Sequence, residues 1–121
     1  MVYFQKAMAL TTKAVLDTFE PNRVLYITAM MSVTPLCDCW GFSSPSLVPD
    51  IGIMGATDIV AIEQAAIDSI DAKNYIAGSL PEQMKMEEEG HLLYRIWKKD
   101  PYLQVQTAAE IGLGSREYEL E

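Results

Sequence analysis

Two short, mainly apolar runs are the clearest β-structure this chain offers, and they limit what it can fold into. Val24 to Met31 is apolar, β-branched and aromatic. Asp50 to Met54 is a second, shorter run ended by Gly55. Leu113 to Leu120 reads as a short tail or a further strand. A two-stranded ribbon does not stand alone in water. The chain must cover its strands with helices, complete its sheet by oligomerising, or form one piece of a larger domain. Val24 to Met31 carries no charge, so it is expected to be buried on both faces.

Helical periodicity fills most of the remainder. Phe4, Ala7, Met8, Thr11, Val15 and Phe19 fall on one face, opposite Lys6, Lys13, Asp17 and Glu20, and Pro21-Asn22 ends the helix. The apolar face is expected to meet the core. Asp58 can cap a second helix, because its carboxylate can accept from a free backbone N–H. Ile59, Val60, Ile62, Ala65, Ala66, Ile67 and Ile70 leave that helix little polar surface. Glu82 to Lys99 reads as a third, with Leu92, Leu93, Ile96 and Trp97 inward. Pro101 can occupy the first turn of a last helix, and Gly112 suits its C′ position. The order predicts an α/β domain: a small sheet of at least two adjacent, parallel strands, flanked by about four helices.

Composition removes several functions. The formal charge is −8 and Lys98-Lys99 is the sole adjacent basic pair, so a nucleic-acid surface is not expected. No apolar run is long enough for a membrane span and no signal peptide is apparent, which points to the cytoplasm. Glu82, Glu87, Glu88 and Glu89, and then Glu117, Glu119 and Glu121, read as solvated charge. No Ser-His-Asp set, Walker loop or dinucleotide fingerprint is recognisable, and Gly112-Leu113-Gly114 lacks the strand and helix of a phosphate loop.

The chemistry concentrates between Thr34 and Pro49, an aperiodic stretch with Pro35, Gly41 and Pro45. Long loops in small domains are commonly functional. Cys37 and Cys39 flank Asp38 within it, and Asp50 follows at the entrance to the second strand. A disulfide between Cys37 and Cys39 would close a strained ring. Thiolates suit zinc and iron–sulfur clusters, which usually take four ligands. Cys37, Cys39, Asp38 and Asp50 are the candidate ligands. His91, a second chain or a partner segment could complete the set. Two free thiols, or a redox-active one, are the alternatives. Asp50 also suits an Asx-type turn. Glu63 interrupts an apolar helix and either faces a cleft or faces water. Asp58, Glu63 and Asp68 do not share one helical face. His91 reads as a ligand or as a surface or capping residue.

Cys37-Asp38-Cys39, Val48-Pro49-Asp50-Ile51-Gly52-Ile53, Asp58 to Ala65 and Gly112-Leu113-Gly114-Ser115-Arg116-Glu117-Tyr118 together resemble the C-terminal part of the domain of unknown function 362 family. Its members are often described as iron–sulfur centre proteins. The resemblance implies that residues 1–121 form one domain, the C-terminal part of a larger family domain. It also implies that Cys37, Cys39 and Asp50 belong to a family-wide site. The family pattern resembles Asp-Pro-Val-Ala-Ile-Asp, where this chain has Asp58-Ile59-Val60-Ala61-Ile62-Glu63. Full-length members carry a substantial N-terminal portion before this region.

Three functions are therefore in play. The first is a metal- or iron–sulfur-binding domain centred on the Cys-Asp-Cys loop, serving redox or electron transfer. The second is a structural or assembly domain without metal, which self-associates or docks on an N-terminal region through exposed side chains such as Trp40 and Phe42. The third is a small-molecule enzyme using Asp50 and Glu63 as acid and base.

Overall fold

A computed structural model describes residues 2–41, 44–70, 72–83 and 90–121, with the side chains of Asp38 and Ala72 outside the described set. The α/β expectation holds. The described elements run α1 (Val2–Leu16), β1 (Tyr26–Met30), β2 (Gly52–Ala56), α2 (Ile59–Ser69), α3 (Leu80–Gln83), α4 (Leu92–Trp97) and α5 (Leu103–Glu110). They fall into two compact units. One comprises Met1–Thr28, Met54–Asp68 and Pro101–Glu121, the other Ala29–Ile53 and Ser69–Asp100.

β1 and β2 are hydrogen-bonded neighbours, as expected, but they run antiparallel and not parallel. The Ile51 N–H donates to the Met30 carbonyl at 2.8 Å, while Gly55, at the other end of β2, faces the Tyr26 carbonyl. The connection between them is therefore a return excursion and needs no crossover helix. β1 is not buried on both faces either. Its burial alternates, Met30 is inside, and Ile27 is 69% exposed.

In the first unit, α1 packs against α5. The face it buries is not the apolar one. Ala9 is 2% exposed, with Gln5, Thr12 and Leu16 half-buried beside it. Phe4, Met8, Val15 and Phe19 are exposed, which corrects the expected core face. Small side chains explain the choice, since Ala9 and Thr12 lie with Val105 and Ala108 of α5 around one cavity and let the two helices approach. α2 is the best-buried helix of this unit, through Val60, Ile62, Ala65 and Ala66. Asp58 caps it as expected. Its Oδ1 accepts the Val60 and Ala61 N–H groups at 2.8 and 3.1 Å.

α5 ends in a Schellman motif at Gly112, whose φ is +82°. The Gly112 N–H bonds the Ala109 carbonyl and the Leu113 N–H bonds the Ala108 carbonyl, both at 3.0 Å. Gly114 is constrained differently. A Cβ there would lie 2.6 Å from Asp58 Cγ. The tail after it is neither strand nor helix.

The second unit buries Leu47, Val48, Ser79, Pro81 and Leu92. The region read as one helix from Glu82 to Lys99 holds two, α3 and α4, with Glu87, Glu88 and Glu89 outside the described residues. His91 takes the capping role. Its Nδ1 accepts the Leu93 N–H at 3.1 Å at the start of α4. No described helix is long and apolar enough to cross a membrane.

Candidate functional site

The cysteine loop is built on a closed base. The Ile51 N–H bonds the Met30 carbonyl, the Leu47 N–H bonds the Val33 carbonyl at 2.7 Å, and the Ser32 N–H bonds Asp50 Oδ1 at 2.8 Å. Ser32 has φ +50°, an uncommon backbone state for a residue with a side chain. Asp50 therefore anchors a left-handed turn at the foot of the loop. The bond spans eighteen residues, so it is not the local Asx-type turn weighed above for Asp50. Its carboxylate also borders a surface pocket of about 440 Å³ shared with Lys73, Asn74 and Tyr75.

Above that base the chain tightens into a 3-10 turn over Asp38–Trp40, closed by the Trp40 N–H on the Cys37 carbonyl at 3.2 Å. Cys37 and Cys39 form no disulfide, and both are exposed. Their side chains interact. A hydrogen bond with Cys37 is the largest cause raising the Cys39 thiol above its ordinary value, followed by desolvation. A thiophilic ion bound by both thiolates must displace their protons. Trp40 is 68% exposed beside them, and Phe42 lies outside the described residues.

Two sulfurs fit two positions of a tetrahedral or cluster site. Among the described residues no group of three or more His, Cys, Asp or Glu could hold a metal ion. Asp50 accepts from Ser32 through Oδ1, and His91 caps α4 through Nδ1. The Asp38 side chain lies outside the described residues.

Glu63, in the first unit, borders a cavity of about 160 Å³ with Thr12, Val60, Gln104, Val105 and Leu113. It keeps solvent contact, yet partial burial raises its carboxyl above the ordinary range. Asp50 belongs to the second unit.

Sequence reasoning missed the most connected polar group, which also lies in the first unit. Asp68 accepts both Gln64 Nε2 contacts at 3.0 and 3.1 Å, the Tyr102 hydroxyl at 2.7 Å and the Tyr118 hydroxyl at 2.9 Å. Arg116 Nε donates to Gln64 Oε1 at 2.8 Å, and its guanidinium lies 5.9 Å from the Tyr102 ring centroid. The Ser115 N–H donates to Asp58 Oδ2 at 2.9 Å. The Ser-Arg-Glu-Tyr tail is thereby fastened along α2 from its capping residue to Asp68. Desolvation, then the bond to Asp68, raises the Tyr102 phenol, while the bond to Asp68 leads in raising Tyr118. The local trace of this group was Gln64 and Asp68 four residues apart; the tyrosines are distant in sequence.

No curated protein and no solved structure matches the chain. A family model described as domain of unknown function (DUF362) matches residues 1–68, which include Cys37, Cys39, Asp50, Asp58 and Glu63. The Gly112–Tyr118 motif lies beyond that match and performs the capping and fastening just described. From that match over more than half its length, the chain belongs to the DUF362 family.

Proposed function

We propose that this chain is a metal-binding domain in which Cys37 and Cys39 form a two-thiolate half-site for zinc or an iron–sulfur cluster. The observation that carries the reading is that one short turn, closed by the Trp40 N–H on the Cys37 carbonyl, presents two exposed thiols two residues apart. Soft sulfur favours these metals over magnesium or calcium. A reducing compartment such as the cytoplasm would keep both thiols available. Ligands from another chain would complete the coordination, because one chain's described residues offer no third donor beside the pair. Binding would cost the two thiol protons, so affinity should fall as pH drops. Asp50 serves this half-site indirectly, by holding the turn on which the loop stands.

Anaerobic purification followed by reconstitution with zinc, or with iron and sulfide, tests the proposal. Metal analysis and a visible spectrum should report less than one full site per chain, or metal-dependent association. Cys37→Ser and Cys39→Ser should each abolish it. Colourless, metal-free protein after both treatments would overturn the reading, as would stoichiometric metal that survives both substitutions.

A further inference from the structure

The apolar face of α1 is the largest unexplained surface of the first unit. Tyr3 is 87% exposed, Phe4 64%, Met8 41%, Leu10 56%, Val15 55% and Phe19 54%. Ala7, Thr11 and Ala14 lie between them and are also exposed. The face holds no charge. The Thr11 hydroxyl at its centre is spent on the Ala7 carbonyl at 2.9 Å, and the Tyr3 phenol lies at its N-terminal end. At roughly 150–200 Å² for each large side chain when fully exposed, the face presents about 600 Å² of apolar surface. Isolated proteins seldom leave more than a few hundred Å² uncovered in one patch.

We propose that this face is the contact between two copies of the chain, with their α1 helices packed antiparallel about a two-fold axis near Thr11. Three observations select a second copy in that orientation. The first is area. Two faces of about 600 Å² reach the roughly 1,200 Å² at which specific interfaces begin. The second is shape. Bulky Phe4 and Met8 precede Thr11 and bulky Val15 and Phe19 follow it at matching spacings, so reversal lays the row upon itself with small Thr11 near the centre. Placing Phe4 opposite Phe19 also brings Met8 against Val15, with coiled-coil-like interdigitation along the seam. The third is charge. The same register sets Lys6, which makes no ion pair among the described residues, beside the other copy's Asp17 at the rim, where it joins the Lys13–Asp17 pair that each chain already forms at 2.9 Å.

This interface needs neither cysteine, so it is independent of the proposed metal half-site. The experiment is sedimentation equilibrium of the full chain, metal-free, across a wide concentration range. Wild type should be a dimer, and the Cys37→Ser/Cys39→Ser protein should dimerise equally. Phe4→Glu and Leu10→Glu replace exposed side chains, so circular dichroism should be unchanged while dimerisation weakens at least tenfold. In the cysteine-free background, Thr11→Cys should crosslink two chains on oxidation, because it lies at the axis, and Tyr3→Cys should not. A monomer at all concentrations would overturn the proposal. So would a dimer unaffected by Phe4→Glu and Leu10→Glu, or crosslinking at Tyr3→Cys in place of Thr11→Cys. Monomeric protein that binds neutral phospholipid vesicles through Phe4 would assign the face to a membrane and overturn it as well.

Discussion

Gly114→Ala offers the sharpest test of how the first unit is closed. The added Cβ would meet Asp58 Cγ at 2.6 Å and Oδ2 at 2.7 Å, so the carboxylate must move. That carboxylate has two tasks, capping α2 through the Val60 and Ala61 N–H groups and accepting the Ser115 N–H. Losing an N-cap costs about 1 kcal/mol, and losing the Ser115 bond costs about another 1 kcal/mol. The expected destabilisation is therefore about 2 kcal/mol. With unfolding entropy near 2 cal/mol/K per residue, a chain of this length should melt about 8 °C lower. Thermal unfolding followed by circular dichroism measures it. Asp58→Ala removes the obstacle together with the cap, so adding Gly114→Ala to that variant should cost almost nothing further. The reasoning fails if Gly114→Ala melts with the wild type. It fails equally if the glycine substitution costs as much in the Asp58→Ala background as alone, because the two sites would then be uncoupled.

Other substitutions probe the remaining groups. Glu63 has its carboxyl raised by burial, so the fold favours its protonated form and loses stability as pH rises through its titration. Glu63→Gln should therefore raise the melting temperature at neutral pH, and the gain should vanish in acid below the ordinary carboxylate range. The tyrosines bound to Asp68 are raised above their ordinary value of 10.0, so the stability they lend is present below that pH and lost as alkali rises past it. Tyr118→Phe should cost only about 0.5 kcal/mol at neutral pH, since the bond is exposed, and should flatten the alkaline decline in urea melts. Asp50→Ala should remove about 1 kcal/mol by freeing the Ser32 turn, with weaker metal uptake, whereas Asp50→Asn, which keeps an acceptor oxygen, should hold both near wild type.

What the sequence by itself determined is chemistry completed within a few residues. Asp58 caps α2 because an acceptor at that position reaches the free N–H groups two and three residues on. Gly112 ends α5 because the Schellman turn needs a left-handed residue there. The two strand-like runs paired because no comparable segment competes for them. Their boundaries shifted, with Gly55 falling inside β2 and not after it. Other features depended on partners far along the chain. A long connection is compatible with either strand direction, and the closed base of the cysteine loop made it antiparallel. Periodicity identified the apolar stripe of α1 but not what lies opposite it, and close packing against α5 took the smaller face through Ala9. The nearness of Cys37 to Cys39 was legible from their spacing, while Asp50's attachment to Ser32 required the loop to close. The Asp68 group gathers Tyr102 and Tyr118 from 34 and 50 residues away. Local sequence carries no signal over such distances, because only the folded chain brings those hydroxyls to one carboxylate.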